Sequence, residues 1–192
     1  MIRHAAHGHL GNTLSGRTEG IALSAEGAGQ ARSLAERLAE NPPDALQSSP
    51  VQRARETADA IAGACGLRTE VTDALNEVDF GAWTGRSFAS LEGDAAWGRW
   101  NTRRSEASPP GGETMVAAQE RAVAHLYETA ARFPGGTVAM VTHCDIIRAI
   151  AAAVLGLSLD QILNFDIDPA RISRIAAGDW GARVLSLNEG VA

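Results

Sequence analysis

Small and apolar residues recur every three to four positions through LSAEGAGQARSLAERLAEN, which predicts a helix with one buried face, and Ser24 stands where an N-cap belongs. PPDALQSSP reads as a connection and a short buried strand. In SSPVQRARETADAIAGACG the periodicity returns: Ser49 is placed to cap, Pro50 fits a first helical turn, and Gly66 follows the last. RTEVT reads as a strand and LNEVDFGAWTG as a loop. The stretch from about 86 to 112 begins helically and becomes an excursion that ends in the breaker PPGG. ETMVAAQERAVAHLYETAARF is a long amphipathic helix. TVAMVTH is a strand of β-branched and apolar residues, and CDIIRAIAAAVLG is a helix that follows at once. Ser158 and Gln161 suit a capping box, and RISRIAA and ARVLSLNE are strands joined through GDWG.

Strands alternating with helices of this length predict a three-layer α/β sandwich, a largely parallel sheet with helices on both faces. The 192 residues contain no repeat and no linker long enough to divide them, so a single domain over 1–192 is expected. A hydrophobic share of 45% and a charged share of 21% fit a globular chain. No apolar run reaches the length of a membrane span, and no signal peptide is visible, which makes a cytoplasmic location the expectation. The net charge of −6 argues against nucleic acid as a partner. Cys65 and Cys144 form neither a disulfide framework nor a zinc pattern. All seventeen basic residues are arginine, so phosphate chemistry in this chain must use guanidinium groups rather than a P-loop lysine.

Ligands of open α/β sheets bind beyond the carboxyl ends of strands, and two histidines fall at such ends: His4, after the stub MIR, and His143, after TVAMVT. Arg3 adjoins His4. Arg53 lies in the first turn of a helix, where free N–H groups already favour an anion, although alone it reads more readily as a solvated surface charge. Glu77 is a carboxylate among apolar neighbours. Partial burial would hold it protonated near neutrality, as a general acid requires, and its alternative is a capping or surface glutamate.

In order along the chain, IRHA, LSAEG, SSPVQRARETA, LNEVDFGAWTG, PGGET and VTHCDIIRAI resemble the motifs of the histidine phosphatase superfamily, also called the phosphoglycerate mutase-like family. The resemblance spans nearly the whole chain. It implies that His4 attacks phosphorus to give a phosphohistidine, that Arg3, Arg53 and His143 surround the non-bridging oxygens, and that Glu77 protonates the departing oxygen and then activates water. It implies no metal and no cofactor, and a small phosphorylated substrate. Hydrolysis is expected over mutase transfer, because dedicated mutases carry a longer insertion after the acid motif.

Several positions depart from the family pattern. Ala5 replaces a glycine, which predicts a changed turn after His4. The usual asparagine is missing, with Asn12 as a shifted candidate, and Arg17 and Glu113 are candidate substrate-side residues. Cys144 stands where glycine is common, either as a packing residue or as a thiol near the pocket. Only Met1 and Ile2 precede Arg3, so the first strand is short or starts upstream.

Three other readings compete. His4, His7 and His9 form an H-x-x-H-x-H cluster that, with His143, has the ligand types of a zinc hydrolase. A non-catalytic phospholigand-binding protein would explain the altered first motif. WGRWNTRRSEA mixes tryptophan with arginine as a nucleic-acid surface does, but Trp97 and Trp100 also fit one apolar helix face with Arg99, Arg103 and Arg104 outside. In the family this excursion lies over the active site, so Arg103 is expected to help select the leaving group.

Overall fold

The computed structural model describes residues 1–190. Its six-stranded sheet has the order β3-β2-β4-β1-β5-β6, with β1 Ile2–Arg3, β2 Ala45–Ser48, β3 Thr69–Val71, β4 Val138–Thr142, β5 Ile172–Gly178 and β6 Gly181–Glu189. The three pairings among β1 to β4 are parallel. The pairings of β5 with β1 and with β6 are antiparallel, so the sheet is mixed at one edge. GDWG is the hairpin that turns β5 back into β6, because a loop this short cannot supply a parallel crossover.

Helices cover both faces. Alternation along β2 shows how: Leu46 joins Leu34 of α1 (Ala25–Ala39) and Ile61 of α2 (Gln52–Cys65) in one core. Its neighbour Gln47 points the other way, and its Oε1 meets His125 and Thr129 of α5 (Met115–Arg132). The second core brings α5 and α6 (Cys144–Leu155) together with Trp83 and Trp100. The excursion holds two short helices, α3 (Phe88–Leu91) and α4 (Ala95–Thr102), and packs on this second core. Among the described residues no helix is long and apolar enough to cross a membrane.

Most local signals act as read. Ser24 accepts from the Gly27 N–H at the start of α1, Gly66 ends α2 at φ 68°, and Ser158 and Gln161 form a capping box on the 3-10 segment Leu159–Asn164. Ser49 does not cap α2. The helix starts at Gln52 with Val51 at the cap position and no side-chain cap, which leaves Pro50 outside it. Ala5 causes no left-handed turn, since its φ is not positive. Among the described residues only Ala170 and Asn188 adopt positive φ without being glycine.

The 86–112 segment also corrects the sequence reading. Trp97 and Trp100 do pack inward, edge to face with Trp83 at centroid distances of 5.3 and 6.1 Å, Trp100 fully buried and Trp97 partly so. Arg99 and Arg103 are exposed, whereas Arg104 is buried and bonds Asp145 at 2.9 Å.

Candidate active site

Strand register builds the site. Ile2 pairs with Val141 and Arg3 with Thr142, so β1 and β4 end level, and the His4 N–H donates to the Thr142 carbonyl at 2.9 Å. The next residues, His4 and His143, therefore stand side by side with ring centroids 5.1 Å apart. On the far side of β4, the Ser49 N–H donates to the Val141 carbonyl, bringing the start of α2 to the same end of the sheet.

The tautomers follow from the partners. His4 Nδ1 lies 2.8 Å from the Ala5 carbonyl, which can only accept, so Nδ1 carries the proton. Nε2 keeps its lone pair and accepts from Arg53 Nε at 3.1 Å. His143 Nδ1 accepts from Arg53 Nη2 at 3.3 Å, which places its proton on Nε2, 2.7 Å from Ser49 Oγ. Arg53 Nη2 also donates to the Gly16 carbonyl at 2.8 Å. Both rings are neutral in the ligand-free protein: burial, then the Arg53 charge, pushes each well below the usual histidine value.

Two donors are left over. Arg3 Nε and Arg53 Nη1 are buried without a hydrogen-bond partner, although another Arg3 nitrogen donates to the Ile167 carbonyl. A buried guanidinium N–H without a partner is costly, and two on one cavity mark a place for an anion.

Glu77 closes the site. It is 8% exposed, its Oε1 accepts from the Val78 N–H, and its Oε2 stands 3.8 Å from His143 Nδ1. Burial, then repulsion from Asp145, raises its pKa to about 7 against the pull of Arg53. His4, Arg3, Arg53 and Glu77 share a cavity of about 470 Å³ whose walls include Leu10, Phe88 and the segment 166–169.

Other expected residues lie elsewhere. Asn12 is exposed and absent from the cavity lining, where Leu10 stands instead. Arg17 and Glu113 bond each other at 2.9 Å, while Arg17 Nε donates to the Glu77 carbonyl at 2.7 Å. They brace the Glu77 main chain instead of lining that cavity, helped by Arg121, which also binds Glu113 and that carbonyl. Arg103 pairs with Glu106 in solvent, away from the cavity. His7 lines the cavity with its ring 5.3 Å from that of His4, and burial, then Arg53, lowers its pKa to about 4. His9 lies a further 6.3 Å along, and among the described residues no group of three or more His, Cys, Asp or Glu side chains is arranged to hold a metal. The Cys144 thiol faces the cavity and the Ile167 carbonyl, and burial pushes its pKa up to about 11, so it is a thiol and not a thiolate.

Comparison with known proteins identifies the family. The family model described as "Histidine phosphatase superfamily (branch 1)" matches residues 1–190. The chain belongs to that superfamily. It is 31% identical over 178 residues to phosphoserine phosphatase 1 of Hydrogenobacter thermophilus, covering 90% of this chain and 84% of that one. It is 32% identical over 167 residues to glucosyl-3-phosphoglycerate phosphatase of Mycobacterium tuberculosis, covering 82% and 74%. The solved native structure of a mycobacterial glucosyl-3-phosphoglycerate phosphatase superposes with a TM-score of 0.89 at 25% identity, covering 99% of this chain and 97% of that one. The protein is thus a phosphatase of the phosphoglycerate mutase-like histidine phosphatases.

Sequence reasoning missed Ser49's contact with His143, the brace Arg121, the wall 166–169 and the buried pair Arg104–Asp145. Only Asp145 had a local signal, a carboxylate two residues beyond His143 in the first turn of a helix.

Proposed function

We propose that the protein hydrolyses a small phosphorylated metabolite, without a metal, through a phosphohistidine on His4. The observation that carries this reading is the pair of unpartnered buried donors, Arg3 Nε and Arg53 Nη1, on the same cavity as a histidine whose Nε2 keeps its lone pair and accepts from Arg53 Nε.

In the first step Nε2 of His4 forms a bond to phosphorus as the ester P–O bond breaks. Arg3 and Arg53 stabilise the charge on the equatorial oxygens, and the His143 ring joins them as a donor once the phosphoryl anion beside it draws a proton onto Nδ1. Glu77 gives its proton to the departing oxygen. In the second step a water oxygen bonds to phosphorus, its proton passes to Glu77, and the P–N bond breaks. No residue in this sequence needs a lysine or a metal. The named relatives act on phosphoserine and on glucosyl-3-phosphoglycerate, and a small phosphomonoester of that class fits a cavity of this size.

The test is intact-protein mass and phosphate release together, with wild type and His4→Ala mixed with p-nitrophenyl phosphate and a panel of alkyl phosphomonoesters in EDTA. Turnover despite the chelator, with an acid-labile phosphoryl adduct that His4→Ala lacks, is the expected result. Activity that vanishes in EDTA and returns with zinc would replace this mechanism with a metallohydrolase. Phosphate binding with no turnover of any ester would leave a binding protein, and transfer of the phosphoryl group to an added acceptor alcohol would favour mutase chemistry.

A further inference from the structure

The 86–112 excursion keeps its exposed arginines out of the cavity, yet it reaches the site through a buried ion pair. Arg104 follows α4 and is 6% exposed. Its Nη1 bonds Asp145 Oδ2 at 2.9 Å, its Nη2 donates to Asn101 Oδ1, and its guanidinium lies 5.1 Å from the Trp100 ring centroid. Asp145 lines the catalytic cavity from the first turn of α6, two residues after His143, whose ring approaches the Glu77 carboxyl. A second contact docks the excursion independently: the Ser105 N–H and Oγ bond the Asp160 carboxylate at 2.8 and 2.9 Å.

We propose that Arg104 and Asp145 are positioning residues that couple the docked excursion to the protonation state of Glu77. Two largely buried carboxylates lining one cavity repel, so ionised Asp145 favours a neutral Glu77, and Arg104 limits how strongly it does so. The other groups facing Glu77 define the balance. Arg3 from β1 and Arg53 from α2 favour its ionised form. Arg17 and Arg121 engage its carbonyl rather than its carboxyl, His143 is neutral, and Arg148 on α6 stands 3.9 Å from Asp145. The excursion thereby reaches the acid without touching it.

The inference rests on Glu77 as the acid, and its test reads Glu77 directly. The δ-carboxyl of Glu77 is titrated by ¹³C NMR, assigned by the signal missing in Glu77→Gln, in wild type, Asp145→Asn and Arg104→Gln. Asp145→Asn is expected to lower the Glu77 midpoint by about one pH unit, and Arg104→Gln to raise it. Opposite signs are the signature: a merely structural pair would admit water in both variants and relax Glu77 downward in both. Ser105→Ala, which loosens the other anchor without changing charge, should leave the midpoint in place. If Arg104→Gln does not fold, the double variant R104Q/D145N replaces it, and its midpoint should rise back from that of Asp145→Asn toward wild type. Equal-signed shifts, no shift in Asp145→Asn, or no recovery in the double variant would overturn the coupling. Full phosphatase activity in Glu77→Gln would instead remove the acid assignment, whatever the titrations show.

Discussion

Glu77 and the two facing histidines are moved in opposite directions on the pH scale and arrive at the same electrical state, neutrality. The proposed first step needs that state, with a lone pair on His4 and a proton on Glu77. Because Glu77 is raised to about 7 and His4 is held well below its ordinary value, kcat/KM for an alkyl phosphomonoester should be level just below neutrality and fall as pH rises through 7. Glu77→Gln should lower kcat/KM by roughly 10²- to 10⁴-fold and abolish that alkaline fall. A nitrophenyl ester, whose leaving group departs without a proton, should lose much less. An unchanged alkaline limb in the variant would assign it to another group. The same shift has a stability consequence: the neutral carboxyl's contribution is complete below about pH 4.5 and is lost as pH rises through 7, on the order of 3 kcal/mol. Glu77→Gln should therefore gain stability relative to wild type between pH 5 and 8 in denaturant titrations. The lowered histidines act in the other sense, their contribution present above the unfolded value and lost as pH falls.

At the scale of elements, α1 braces the loop after His4 from behind. A Cβ on Gly27 would lie 1.8 Å from the Ala6 carbonyl oxygen, so the helix touches main chain two residues after His4. Gly27→Ala must push α1 or that loop aside, and a cost of about 1–3 kcal/mol is expected, read as a lowered unfolding temperature together with reduced kcat. Wild-type values for both would mean that the loop does not depend on this contact. Ser24, Gly66 and Ser158 were legible because a cap is a local event, decided by the few residues around it. Ser49 was not, because its hydroxyl serves a histidine from a different strand. Arg104 reads as a surface charge in any sequence window, since its partner Asp145 is forty-one positions away. His4 and His143 could be placed from strand ends and Arg53 from a helix start, whereas Glu77 stood in a loop, and only the family resemblance singled out Arg53 and Glu77 from ordinary surface charges. Arg17 and Glu113 were visible as residues of interest, but their place behind Glu77 and not beside the cavity is set by where α5 packs.

Over the whole molecule, an acidic chain keeps a small positive interior at one end of its sheet. Arg53 is 1% exposed, and Arg3 nearby repels it. Its partial counter-charge, Glu77, is itself pushed toward its neutral form by burial. Without an anion this arrangement is a standing cost, since a desolvated charge is balanced only by dipoles and one donor is unpaired. With phosphate bound, the same donors gain charge-assisted hydrogen bonds. Inorganic phosphate at a hundred times its Kd should then add about 2.7 kcal/mol of stability, raising Tm by roughly 5–10 °C for a chain of this size. Arg53→Met replaces the guanidinium by an apolar side chain of similar length. It should leave the phosphate-free protein at least as stable as wild type, because a poorly compensated buried charge goes with the lost contacts to His4 and Gly16. It should also abolish the phosphate-dependent rise. Thermal melts of both proteins, with and without phosphate at matched ionic strength, separate the two effects. A variant that melts several degrees lower in both conditions would show that Arg53 is chiefly a structural strut. A wild type indifferent to phosphate would show that the two unpaired donors do not await an anion.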